Sequence, residues 1–226
     1  MNKIFLVTLS SFLFFASCSQ FGENPSGDHL EEIKKSPNYD IEINRFKNRI
    51  ENMWEQMGER DSFWDNPRKR ISNNYFFNSA ETIPENKLPE VKPPNIKEFM
   101  KSTESIKFIW FGHSSLLVNI KNTIILVDPV FSKAASPVSF LVKRFQPPVL
   151  ELKDLPRIDY VLISHDHYDH LDMETVIFFK EKDVKFITPL GVTSHLKSWD
   201  IDRSKLFEAD WWGTLEFEGI TFICTP

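Results

Sequence analysis

Ile158-Asp159-Tyr160-Val161-Leu162-Ile163-Ser164-His165-Asp166-His167-Tyr168-Asp169-His170 is the stretch that decides how this 226-residue chain folds and where its chemistry lies. Residues 160–163 are wholly apolar, as in a short strand buried on both faces. Directly after them, three of the six histidines fall within six residues. At the end of an extended segment, residues two apart point the same way, so His165 and His167 can reach one ion. The chain then turns, and Asp169 and His170 can face a second position close by. These four are the candidate metal ligands, and Asp169 with His170 is the candidate catalytic pair. Imidazole nitrogen mixed with carboxylate oxygen suits Zn2+, with iron or manganese less favoured. Two such ions can share a hydroxide, a strong nucleophile at neutral pH. The bland alternative is a solvated polar turn. A buried strand before the cluster and a helix after it weigh against that.

Upstream, residues 106–111, 115–120 and 123–127 are β-rich runs. Lys121-Asn122 marks a tight turn between the last two. Downstream, 173–182 has a helical pattern, 184–188 reads as a strand and 191–199 as a second helix. Residues 215–217 and 220–224 form a hairpin around Glu218-Gly219. Strands followed by helices, with antiparallel hairpins, predict a layered α/β domain over 106–226. Asp128 ends the third run and precedes Pro129. A carboxylate there can accept the second N–H of a ligating imidazole and so orient it; Asp-Pro is also a common turn, and both readings stand. His113 has three options: a substrate contact, which is carried forward, a metal neighbour, or a structural histidine. His195 reads as a surface or packing residue. Asp210-Trp211-Trp212 is either a metal-adjacent carboxylate with an aromatic wall or, the preferred reading, a turn with packed indoles. His29, in a polar stretch, is given no role.

The bulk properties narrow the class. An apolar fraction of 41%, with 21 Phe, is enough for a real core. A net charge of −5 is spread along the chain without a basic stripe, so a nucleic-acid partner is not expected. Seven Gly and 14 Pro do not describe a disordered or fibrous chain. Lys3 precedes a charge-free apolar run over 4–15, too short to span a bilayer, which reads as a secretory signal. Phe15-Ala16-Ser17-Cys18 resembles the lipobox of bacterial lipoproteins, although Leu is preferred where Phe15 stands. That likeness implies lipidation of Cys18 and a membrane-anchored protein of the bacterial cell envelope, facing the periplasm or the exterior. An ordinary cleaved signal is the alternative. The only other cysteine, Cys224, is then a buried thiol without a disulfide partner. The expected organisation is a signal peptide over 1–18, a polar tether over 19–38, a helical and irregular arm over 39–105, and the α/β domain. The arm's helix is read from the spacing of Ile43, Phe46, Ile50, Met53 and Met57.

The order of motifs resembles a known family. Trp110-Phe111-Gly112-His113-Ser114-Ser115 and Val127-Asp128-Pro129-Val130-Phe131 are followed by Ala135-Ser136-Pro137-Val138-Ser139 and Arg144-Phe145-Gln146-Pro147-Pro148. The histidine stretch, Pro189-Leu190-Gly191-Val192 and Asp210-Trp211-Trp212 complete the series. It is similar to the metallo-β-lactamase-fold hydrolases related to N-acyl-phosphatidylethanolamine-hydrolysing phospholipase D. The resemblance implies an αβ/βα sandwich, a two-zinc site and hydrolysis of a phospholipid-type phosphodiester. It assigns His165 and His167 to the first zinc and Asp169 and His170 to the second. It also implies that the remaining ligands, and half of the sandwich, lie beyond Pro226. The chain is therefore expected to be a truncated N-terminal half that binds zinc weakly and is inactive alone. The alternatives are a lactonase or another ester or amide hydrolase of the same fold, or a lipid-anchored non-catalytic binding protein.

Overall fold

The computed structural model describes residues 20–50, 85, 86, 88, 93–102, 104–137 and 142–226. The proposed signal, Cys18 and most of the arm lie outside them. Six strands form one mixed sheet in sequence order: β3 (Lys107–Gly112), β4 (Ser115–Ile120), β5 (Thr123–Val127), β6 (Tyr160–Leu162), β7 (Lys185–Pro189) and β8 (Leu206–Ala209). The first three pair antiparallel, and β5 to β8 run parallel. The Lys121-Asn122 turn is as read from the sequence. Both residues have positive φ (49° and 68°), the two-residue geometry that suits the twist of flanking strands.

Side chains alternate faithfully across this sheet. Leu117, Ile124, Leu126, Val161 and Phe186 face one side, where they pack with α3 (Met173–Phe178), α4 (Thr193–Ser198) and Phe99 from α2 (Ile96–Phe99). Ile125, Tyr160 and Ile187 face the other, with Val118, Val127 and Leu162 beside them. Both faces are covered, which is why 124–127 and 160–163 are continuously apolar. Leu117, Leu126, Val161 and Phe186 are wholly inaccessible to solvent; each such burial stabilises the fold by roughly 1.5–3 kcal/mol.

The second face is covered by a β-hairpin, β9 (Thr214–Phe217) and β10 (Ile220–Ile223), joined through Glu218-Gly219. Phe217 and Phe222 lie on Tyr160 at ring distances of 5.6 and 5.1 Å. The apolar run before Pro226 thus lies flat on the sheet as a second β layer. Helix α4 starts at Thr193 because Gly191, at φ +97°, breaks the chain direction. Its open N–H groups are met from β8: Glu208 Oε1 accepts from Gly191 N, Thr193 N and Thr193 Oγ.

Two sequence expectations fail at the N-terminal end. The stretch read as a tether contains helix α1 (Gly27–Ile33) and is docked on the domain. Ile33 is 1% exposed, His29 Nε2 meets Glu208 Oε2 at 2.8 Å, and Ser36 Oγ donates to Asp210 Oδ2 at 2.6 Å. The apolar spacing from Ile41 onward is not a helix where described: β1 (Tyr39–Asp40) and β2 (Arg45–Phe46) pair around a turn with Asn44 at φ +56°. Ile41 and Ile43 are exposed, so the stripe is no buried face, and Met53 and Met57 lie outside the described residues. Among the described residues no helix is long and apolar enough to cross a membrane.

Candidate metal centre

Parallel pairing of β5 with β6 places the C-terminal ends of both strands side by side. Asp128 follows β5 and Ser164 follows β6, so the two loops meet. Asp128 is buried, in a left-handed backbone (φ +39°), and Ser115 Oγ pins it by donating to the Asp128 carbonyl at 2.7 Å. Its carboxylate accepts from Ser164 N at 2.6 Å, from Ser164 Oγ at 2.7 Å and from His170 Nδ1 at 2.9 Å. The contact is of the kind the orienting reading requires, and the imidazole it meets is that of His170.

This contact fixes the His170 tautomer. A carboxylate only accepts, so Nδ1 carries the hydrogen and the Nε2 lone pair is left free. Nε2 faces Asp169 Oδ2 at 3.8 Å. The loop returns this way because His170 N and Leu171 N both donate to the His167 carbonyl. His165 stacks against His170 with ring centroids 3.9 Å apart and meets His167 edge-on at 4.7 Å. Burial, then repulsion from His170 and His167, lowers the His165 pKa, which keeps a neutral, ligating imidazole at neutral pH. All four predicted ligands therefore share one rim. His113, from the β3–β4 turn, joins them: Nε2 lies 2.9 Å from Asp169 Oδ2, and one ligand atom each of His113, Asp169 and His170 falls within 4.8 Å of the others. Imidazoles with freed nitrogens beside a carboxylate fit a borderline-soft divalent cation.

The rim opens into a cleft of about 610 Å³ whose walls include His165, Asp166, His195, Asp210, Arg45 and Phe46. His195 is buried, as the packing reading requires, and its Nε2 stands 3.5 Å from Asp166 Oδ2. That contact is the main reason the Asp166 carboxyl is held below the usual range. Burial, with Asp172 and Glu174 nearby, pushes Tyr168 up to about 12, so its phenol stays protonated. Asp210 does not join the histidines; it anchors the N-terminal segment through Ser36 and Asn38. Trp212 is 62% exposed, so the packed-indole reading fails for it. His29, Ser36 and Asp166 have structural parts the sequence reading missed, because their partners are remote or had no assigned role.

With fold and site in view, the likeness to known proteins can be placed. Residues 123–226 match the family described as "Beta-lactamase superfamily domain". Over these residues the chain resembles the metallo-β-lactamase-fold domains found in metal-dependent hydrolases. It is 38% identical over 135 residues to an uncharacterised protein of Mycobacterium tuberculosis (strain ATCC 25618 / H37Rv), covering 59% of this chain and 36% of that protein. It is 36% identical over 127 residues to N-acyl-phosphatidylethanolamine-hydrolyzing phospholipase D 1 of Caenorhabditis elegans, covering 52% and 36%. A UPF0173 metal-dependent hydrolase of Anaeromyxobacter sp. (strain K) is 32% identical over 88 residues, covering 38% and 28%. The matches span about a third of the length of these relatives.

Proposed function

We propose that this chain carries the metal-binding part of a zinc-dependent hydrolase that cleaves a phosphodiester in a phospholipid-type substrate. The observation that carries the reading is the Asp128–His170 contact, which frees one imidazole nitrogen beside Asp169, close to His165, which lines a cleft of about 610 Å³. The likeness to a named phospholipase D supports the substrate class, and the imidazole–carboxylate donor set supports zinc. His165 and His167 would hold one ion, Asp169 and His170 the second. Bound zinc supplies Lewis-acid polarisation of the phosphoryl oxygen and acidifies water. The chain's own part is orientation: Asp128 fixes the His170 tautomer, burial keeps His165 neutral, and the cleft receives the organic part of the substrate. We place the protein at the bacterial envelope, anchored through lipid on Cys18, on the strength of the Phe15-to-Cys18 pattern.

The test combines metal analysis of the 226-residue chain with hydrolysis of bis(p-nitrophenyl) phosphate and of γ-butyrolactone. Both measurements are also made on the chain together with any coding sequence that follows codon 226. Zinc uptake that falls by about one ion per chain in the His165→Ala, His167→Ala double variant, with phosphodiester cleavage by the extended version, is expected. Lactone cleavage alone would overturn the substrate class, and absence of metal from both versions would overturn the hydrolase.

A further inference from the structure

We infer that His113 is a positioning residue for Asp169, holding that carboxylate beside His170 much as Asp128 holds His170 itself. The inference rests on the hydrolase reading above. His113 Nε2 lies at hydrogen-bond distance, 2.9 Å, from Asp169 Oδ2, the oxygen that also faces His170 Nε2 at 3.8 Å. The His113 ring stands edge-on to the His170 ring, 5.1 Å between centroids. An imidazole on each side of one carboxylate leaves Asp169 little rotational freedom.

The backbone is arranged to hold His113 there. The β3–β4 register shifts between Trp110 and Gly112, a bulge of the kind that re-aims a side chain. His113 then takes a left-handed conformation, φ +48°, uncommon for a residue with a Cβ. Trp110 Nε1 donates to the His113 carbonyl at 2.9 Å and fixes the turn. Such conformations persist where the surroundings over-determine them, and they cluster at functional sites. Fold stability does not account for the pair. The His113 and Asp169 side chains are 58% and 42% exposed, and a pair so open to solvent contributes little.

Two substitutions separate positioning from other roles. The amide nitrogen of Gln reaches about as far as imidazole Nε2, whereas that of Asn stops near Nδ1 and tolerates the left-handed backbone. On the full 226-residue chain, zinc affinity is measured against a chromogenic chelator, together with urea midpoints. His113→Asn is expected to bind zinc about tenfold or more weakly, His113→Gln is expected to recover most of that loss, and both midpoints are expected to match wild type. In long-range 1H–15N spectra of the zinc-loaded wild type, His113 Nε2 is expected to keep its proton. A deprotonated, metal-shifted Nε2 would make His113 a ligand and overturn the inference, as would equal zinc affinity in wild type and His113→Asn. A wild-type chain that takes up no zinc overturns this inference, whereas the hydrolase reading falls only if the extended version takes up none either.

Discussion

Asp128 concentrates more of the site's energetics than any predicted ligand, because one buried carboxylate serves three donors on the loop after β6. Ser164 N, Ser164 Oγ and His170 Nδ1 all point at it. Hydrogen bonds to a charged acceptor are worth about 1.5–3 kcal/mol each, and a buried donor left unmatched costs a similar amount. Asp128→Asn preserves size and accepts the left-handed backbone, yet replaces one acceptor oxygen by a donor. That NH2 group faces either Ser164 N–H or the Ser164–His170 pair. The variant is expected to lose about 1–3 kcal/mol of stability in urea unfolding. Its zinc affinity is expected to fall by about 10–100-fold, because the His170 tautomer is no longer fixed. Unchanged zinc affinity in a destabilised variant would show that Asp128 serves the fold alone.

The elements divide into a sheet core that stands on burial and an N-terminal segment that adds polar hooks to the burial of Ile33 and Tyr39. Phe186, on β7, is wholly buried with Val161 and Leu196 in one apolar cluster. Phe186→Ala removes a ring that little can replace, and urea unfolding should register a loss of about 3–5 kcal/mol. The hooks respond instead to acid. At Asp210 burial pushes the carboxyl upward, but donation from Ser36, Asn38 and Trp211 N outweighs it and the pKa falls below the ordinary 3.8. A carboxylate whose folded pKa is depressed gives its stabilisation in full above the ordinary value and loses it as pH drops through the folded one. Docking of residues 26–47 should therefore hold at neutral pH and weaken below about pH 3.8. Intrinsic-rate-corrected hydrogen exchange should show the segment losing protection there before β5–β7 does. In Asp210→Asn the segment should be poorly protected at neutral pH already, and an acid transition identical to wild type would assign the effect to another group.

At the scale of the whole molecule, the parts legible in the sequence were those whose causes are local. Residues 160–163 announce a strand buried on both faces because every side chain there is apolar. The four candidate ligands are spaced within six positions, so strand and turn geometry suffices to gather them. What escaped depends on distant partners. Ser36 and Asp210 are 174 positions apart, His29 and Glu208 179, so nothing near Ser36 marks it as a hook and its polar neighbours read as a tether. The Ile43-to-Ile50 spacing imitates a helix, but the Asn44 turn and exposed isoleucines leave it no core to face. That separation of core from site has a thermodynamic consequence. The rim is built from loops after β3, β5 and β6, three strands of one sheet, so a cation held there ties those loops together only in the folded chain. A ligand that binds only the folded state stabilises it by about 2.7 kcal/mol at one hundred times its Kd. In a chain of this size that raises the melting temperature by roughly 5–11 °C, at about 2–4 °C per kcal/mol. Calorimetry should show the rise with zinc and its reversal by a chelator. The shift should be smaller in Asp128→Asn and absent when His165, His167 and His170 are all replaced by alanine. A rise of equal size in that triple variant would place the zinc elsewhere on the molecule.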